Sequence, residues 1–297
     1  MKNTKIYKKE KTSFKGKHPR DPKQNQRKGH GKTTGKPTGK QQQRKKSDNQ
    51  LKIDLFGLHA VREAWLNPKR HIHALLITNS VLDQFDDALT KAHDMGLKRP
   101  TPQIVEKSVL DGATPMGSVH QGIGLNCQAL AEIDLQDIIR IEENKEKSVL
   151  VMLDQVTDPH NVGAIIRSSS AFGSGGLIMQ KKHAPEIKGV LAKTACGGAE
   201  HLNIAYETNL TRSLEALQEA GYFAIGLDER GEQTLSELPH YPKTVIVLGA
   251  EGDGLRRLVG EQCDVLTRLP TQEPIASLNV SNAAAVALYA LCGAGKQ

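Results

Sequence analysis

The chain has 297 residues, of which 38% are apolar and only 4% aromatic, and its formal charge is +7. That length allows two modest domains, and with no run of about 18 apolar residues no membrane-spanning helix is expected. The charge is unevenly held: residues 1–50 carry 17 Lys/Arg against 3 Asp/Glu, a net of +14, while the rest carries 23 against 30, a net of −7.

Residues 1–50 include RKGHGKTTGKPTGKQQQRKK and almost no aliphatic side chains. Such a stretch cannot bury enough apolar surface to offset the entropy of ordering it, so it is expected to be disordered. Its positive charge suits attraction to a nucleic-acid backbone. No apolar stretch follows the basic start, so no secretory signal is expected.

Folded structure is expected from about residue 51. FGLHAVREAWLN (56–67) has helical spacing and stops at Asn67-Pro68. HIHALLIT (71–78) reads as a strand, 82–95 as a helix ending at Gly96, 103–105 as a short strand and 107–112 as a helix. A loop then leads into VHQGIGLNC (119–127). This alternation predicts a small α/β domain over 51–127. Residues 128–147 read as a charged connecting helix or linker.

SVLVMLDQV (148–156) is a continuous apolar strand, as a parallel sheet covered on both faces requires. After the Asp158-Pro159 turn a helix is expected from about Asn161 to Phe172. GGLIMQ, LNIAYE, YFAIGLD, KTVIVLGAE and DVLTRLP read as further strands. Helices are expected over 186–196 and 210–220, within GLRRLVGEQC, and in SLNVSNAAAVALYALC. The order predicts a second, mostly parallel α/β domain over 148–297.

Several chemistries are disfavoured. Gly173-Ser174-Gly175-Gly176 lies between a helix and the next strand, whereas a dinucleotide fingerprint needs glycines after a strand and opening a helix. No Walker A loop, Gly-x-Ser-x-Gly elbow or zinc spacing occurs, and no metal is expected. Cys127, Cys196, Cys263 and Cys292 are 69, 67 and 29 apart. That spacing matches no disulfide framework and reads as buried thiols in a reducing cytoplasm.

Three segments remain. In DPHNVGAIIRSS, Asn161 and Arg167 lie six apart on one helix. In VIVLGAEGDGLRR, an apolar strand runs into a glycine loop holding Glu251, where backbone N–H groups can approach a ligand closely. In SLNVSNAAAVALY, Ser277, Asn279 and Ser281 stand at the mouth of a small-residue helix. Taken singly, these are a surface arginine, a tight turn and a helix cap. Together, in this order and spacing, they resemble the three motifs of the SpoU branch of the SPOUT methyltransferases. The resemblance covers about 54–297. FGLHAV and VHQGI are similar to the substrate-binding domain of the subgroup acting on a 23S ribosomal RNA guanosine. LDQVTDPHNVGAIIRS, KTACGGAEHLNIA, LGAEGDGLRRL and SLNVSNAAA are similar to its catalytic domain.

The resemblance implies an α/β fold with a deep C-terminal trefoil knot, a homodimer formed through the catalytic domain, and RNA as partner. It implies S-adenosylmethionine as cofactor, held by Gly249, Leu269 and Leu278. It further implies a polar catalytic set of Asn161, Arg167, Glu251, Ser277 and Asn279. A guanidinium is normally protonated, so Arg167 is expected to bind phosphate and stabilise charge on the ribose oxygen, with Glu251 orienting it. Arginine as general base, which needs a strongly shifted pKa, is the alternative. A transfer-RNA methyltransferase and a non-catalytic RNA-binding protein remain alternatives.

Overall fold

The computed structural model describes residues 52–272, 274 and 277–293. The expectation for residues 1–50 lies outside them. Two sheets form within one compact unit.

The first sheet contains β1 (Leu55–Phe56), β2 (Ile72–Ile77), β3 (Gln103–Ile104) and β4 (Ile123–Cys127), in the order β1-β4-β2-β3. Its β3 pairs parallel with β2, and the remaining pairs are antiparallel. Helices α1 (Leu58–Leu66), α2 (Asn79–Asp94) and α3 (Lys107–Ala113) accompany it. Apolar side chains of α1 and α2 meet β2 and β4 in a core that includes Val61, Trp65, Leu75, Phe85 and Leu125. The expected helix over 56–67 is shorter at its start, because Phe56 is held in the sheet opposite Gly124.

The second sheet is parallel in every described pairing, with seven strands. They are β5 (Ser148–Leu153), β6 (Gly176–Gln180), β7 (Ile204–Glu207), β8 (Phe223–Leu227), β9 (Gln233–Thr234), β10 (Lys243–Leu248) and β11 (Val265–Arg268). Their order is β7-β6-β5-β10-β8-β11-β9. The helices are α4 (Leu135–Glu142), α5 (Pro159–Ala171), α6 (Gly189–Thr194), α7 (Leu210–Glu219), α8 (Arg257–Gln262) and α9 (Val280–Cys292).

Alternation along the central strands divides the core in two. Val149, Val151, Leu153, Ile246 and Leu248 face α5 and α9 through Val162, Ile165, Ala284 and Leu288. Leu150, Met152, Val245 and Val247 face the other way, onto Leu135, Ile138, Leu214 and Leu217 of α4 and α7. Both faces are covered, which is why β5 reads as an unbroken apolar run.

Two further expectations are corrected, and one strand is added. Residues 128–147 are more than a connector, because α4 buries Leu135 and Ile138 in the core of the second sheet. At its end, the buried Glu142 carboxylate accepts a 2.9 Å bond from the Ser148 hydroxyl, which in turn accepts one of 2.9 Å from Tyr222. The helix expected over 186–196 covers only Gly189–Thr194, since Lys188 is extended. The two-residue strand β9, which carries no apolar signal, was not expected.

Candidate active site

In an open parallel sheet, a ligand crevice lies at the carboxyl ends of strands where the winding direction changes. Here that place is between β5 and β10. Leu153 and Leu248 are paired at their carboxyl ends, while the next strands, β6 and β8, lie to opposite sides. The segments leaving β5 and β10 therefore emerge side by side.

From β5, Asp158 caps α5 by accepting a 2.9 Å bond from the Asn161 backbone N–H, and Pro159 occupies the first turn. Proline has no N–H to lose there, so α5 starts two residues earlier than expected. From β10, the chain turns back on itself at 249–254, where the Gly254 N–H bonds the Ala250 carbonyl at 3.0 Å. A Cβ on Gly249 would sit 2.2 Å from the Gly254 carbonyl carbon, so only glycine permits this closure. After β11, Asn279 caps α9, its side-chain oxygen accepting from the Ser281 N–H at 2.9 Å.

These segments converge. The Asn161 side-chain amide donates to Glu251 Oε1 at 3.0 Å. The Asn279 amide donates to the same oxygen and, at 3.0 Å, to Asn161 Oδ1. Three side chains, up to 118 residues apart in sequence, thus share one network open to solvent.

Arg167 is placed differently. At about 100° per residue, six residues put it roughly 120° around α5 from Asn161. It is exposed and makes no hydrogen bond or ion pair among the described residues, and Glu251 is engaged by the two asparagines instead. The expected Glu251–Arg167 bond is thus absent from this arrangement. Ser277 is exposed beside Leu278, which is 43% exposed, and Leu269 is half-buried against the core.

Sequence reasoning missed the brace beneath the loop. Asp154, fully buried at the end of β5, accepts from the Arg256 backbone N–H at 2.9 Å and from its Nε at 2.7 Å. An acid directly after an apolar strand was the available signal. Asp228 is a second such acid, and the Arg230 guanidinium hydrogen-bonded to it holds its carboxyl below the usual range. Among the described residues no His/Cys/Asp/Glu group is arranged to hold a metal. Burial pushes the Cys127 thiol up to about 11 and Cys263 up to about 12. Cys196, Cys263 and Cys292 are only partly buried, short of the expectation. No described helix is long and apolar enough to cross a membrane.

Comparison with known proteins places the chain in a family. Residues 148–289 match the model of the SpoU rRNA Methylase family, and residues 55–132 match that of RNA 2'-O ribose methyltransferase substrate binding. The chain is 36% identical to the 23S rRNA (guanosine-2'-O-)-methyltransferase RlmB of Photobacterium profundum over 239 residues, which is 79% of this chain and 95% of that protein. It is 31% identical to the putative TrmH family tRNA/rRNA methyltransferase YacO of Bacillus subtilis, over 79% of this chain and 93% of that one. Among solved structures, its fold is similar to the SpoU methyltransferase AviRb from Streptomyces viridochromogenes, with a TM-score of 0.65, 22% identity, and coverage of 80% and 88%. The protein is an RNA 2'-O-ribose methyltransferase. It belongs to the SpoU family of the SPOUT superfamily, in the branch that holds the RlmB-type enzymes.

Proposed function

We propose that the protein transfers a methyl group from S-adenosylmethionine to the ribose 2'-hydroxyl of a guanosine in 23S ribosomal RNA. The observation that carries the chemistry is the Asn161–Glu251–Asn279 network, which ties three separate segments into one site at the strand ends. The choice of RNA is supported by several relatives named for 23S rRNA guanosine methylation, at 33–36% identity. The tRNA/rRNA name of the Bacillus subtilis relative supports transfer RNA as the second reading.

The residues suit the methyl donor. The closed loop at Gly249 offers backbone groups, and Leu269 and Leu278 offer apolar flanks to an adenosyl moiety. When bound, S-adenosylmethionine supplies an electrophilic methyl group. Asn161, Glu251 and Asn279 keep the loop and the start of α9 in register, and Ser277, exposed two residues before Asn279, meets the ribose. Arg167, exposed and uncommitted, grips an RNA phosphate and stabilises the charge that develops on the 2'-oxygen.

Two further parts of this reading concern architecture. The return of the chain after β11, which lays α9 against α5, supports a C-terminal trefoil knot. Leu278, Val286 and Tyr289 are exposed apolar side chains near this helix pair, which supports a homodimer built on the catalytic domain. Residues 1–50 supply positive charge for RNA.

One comparison tests the reading, with the full-length protein, Arg167→Ala and a chain lacking residues 1–50. Arg167→Ala is expected to slow single-turnover methylation by about 10²–10³-fold while S-adenosylmethionine affinity is kept. The truncated chain is expected to bind RNA more weakly and with a shallower salt dependence. Near-normal turnover by Arg167→Ala would remove its assigned role. Mapping 2'-O-methyl sites in ribosomal and transfer RNA, with and without the protein, decides between the two RNAs.

A further inference from the structure

The segment KTACGGAEH (193–201) has no part in the site just described, yet it lies between the first sheet and Arg167. Gly197 adopts φ +87°, and a Cβ there would sit 2.3 Å from Glu63 Cγ, so α1 rests directly on this turn. The next residue faces the opposite way. A Cβ on Gly198 would sit 3.2 Å from Arg167 Cα and equally close to the Ile166 carbonyl oxygen. One turn of backbone therefore separates the first domain from the stretch of α5 that carries Arg167.

Glu200 fastens that turn. Its carboxylate accepts from Arg70 Nη2 at 2.7 Å and Nε at 3.0 Å, and from the Asn67 amide at 2.8 Å. The Arg70 and Glu200 side chains are each only 3% exposed. The remaining Arg70 nitrogen, Nη1, donates to the Gln128 carbonyl at 2.6 Å, where the chain leaves the first sheet. Arg99 closes the group from behind, donating to the Trp65 and Asn67 carbonyls at 2.7 Å each. At the edge, His201 Nε2 and Glu63 Oε2 are 2.8 Å apart.

A forked guanidinium–carboxylate pair fixes angle as well as distance, which a point charge does not. Buried, it is little screened by salt. We propose that Glu200 is a positioning residue for methyl transfer. By locking Arg70 and Asn67, it sets the RNA-holding domain at a fixed distance from Arg167, so that bound RNA arrives with its ribose in place. This rests on the function proposed above.

The test uses the full-length protein and a fragment of its RNA substrate. Single-turnover rates at saturating RNA and S-adenosylmethionine are measured for Glu200→Ala and Glu200→Gln, with both affinities and the melting temperature. Misplacement by about 1 Å costs on the order of 10²-fold, so Glu200→Ala is expected to lose about that much in the saturated rate. Both affinities should stay within about threefold, the signature of a group that acts on the chemical step. Glu200→Gln keeps the shape and part of the bonding, and its rate should fall between. A lower melting temperature with an unchanged saturated rate would mean a structural role only and would overturn the proposal. If Glu200→Ala fails to fold, an unchanged rate for Glu200→Gln overturns it equally. Arg167→Ala run in parallel separates the two ideas. Should it turn over normally, the function reading loses its arginine whatever Glu200 does. Should it be slow while both Glu200 variants keep full rate, the positioning role alone fails.

Discussion

Two glutamates organise this molecule, and they are held in opposite ways. Glu251 lies open to solvent and is engaged by two neutral amides. Glu200 is buried and engaged by a guanidinium fork and one amide. Amide donors restrain a carboxylate without pairing it to a cation, and Glu251 stays accessible. A buried ion pair spends its charge internally and gains orientation in return. The first arrangement suits a site that meets a ligand, and the second suits a joint between domains.

Stability should separate them most strongly. Removing one partner of a buried pair strands the other, so Glu200→Ala is expected to destabilise the protein by about 3–5 kcal/mol, read as a fall in denaturant midpoint. Equal stability to the parent would mean that the joint is not stressed by losing its acid. Glu251→Gln should reverse the pattern, changing stability by no more than about 0.5 kcal/mol while slowing single turnover by about 10-fold or more. A large loss of stability with intact turnover would make Glu251 a second structural acid and collapse the distinction.

The smallest effect concerns the brace between the glycine loop and the sheet. Cys263, at the end of α8, packs against the core that holds Leu255, the residue after that loop, and donates to the Val259 carbonyl at 3.3 Å. Burial raises its folded value to about 12 from an ordinary 9.0. Because the folded value is raised, the contribution to stability is present below pH 9 and fades as pH climbs toward 12. At pH 9, iodoacetamide should therefore label Cys263 on the order of 10²-fold more slowly in the folded chain than in urea. Labelling at the unfolded rate would show that the loop and its Asp154–Arg256 brace open freely.

The sequence made the second sheet largely legible, because a strand buried on both faces has no polar interruption, as in β5. Helix α9 was equally clear, since Ala284 and Ala287 mark a close-packed face. Boundaries were less so. Pro159 opens α5 where the sequence suggests a turn, and α4 reads as a charged connecting helix or linker because Asp137, Arg140 and Glu142 stand among only two buried apolar residues, Leu135 and Ile138. In the site, Asn161, Glu251 and Asn279 came from motif resemblance, but their mutual bonding did not. Which acceptor an amide chooses depends on where three distant segments meet. The same holds for Asp154, Arg70 and Glu200. Their partners, 102 residues away for Asp154 and 130 for Arg70, are not legible in the sequence around them.

Asn279 shows what such convergence asks of one side chain. Its oxygen faces inward and accepts from the first turn of α9, while its nitrogen faces outward and donates to Glu251 and Asn161. An amide is a connector with two unlike ends. Aspartate would seat the same plug in the helix but present a second anion to Glu251, and serine would cap the helix yet fall short of the network. The grammar of helix starts therefore allows several residues at this position, and the site across from it admits one.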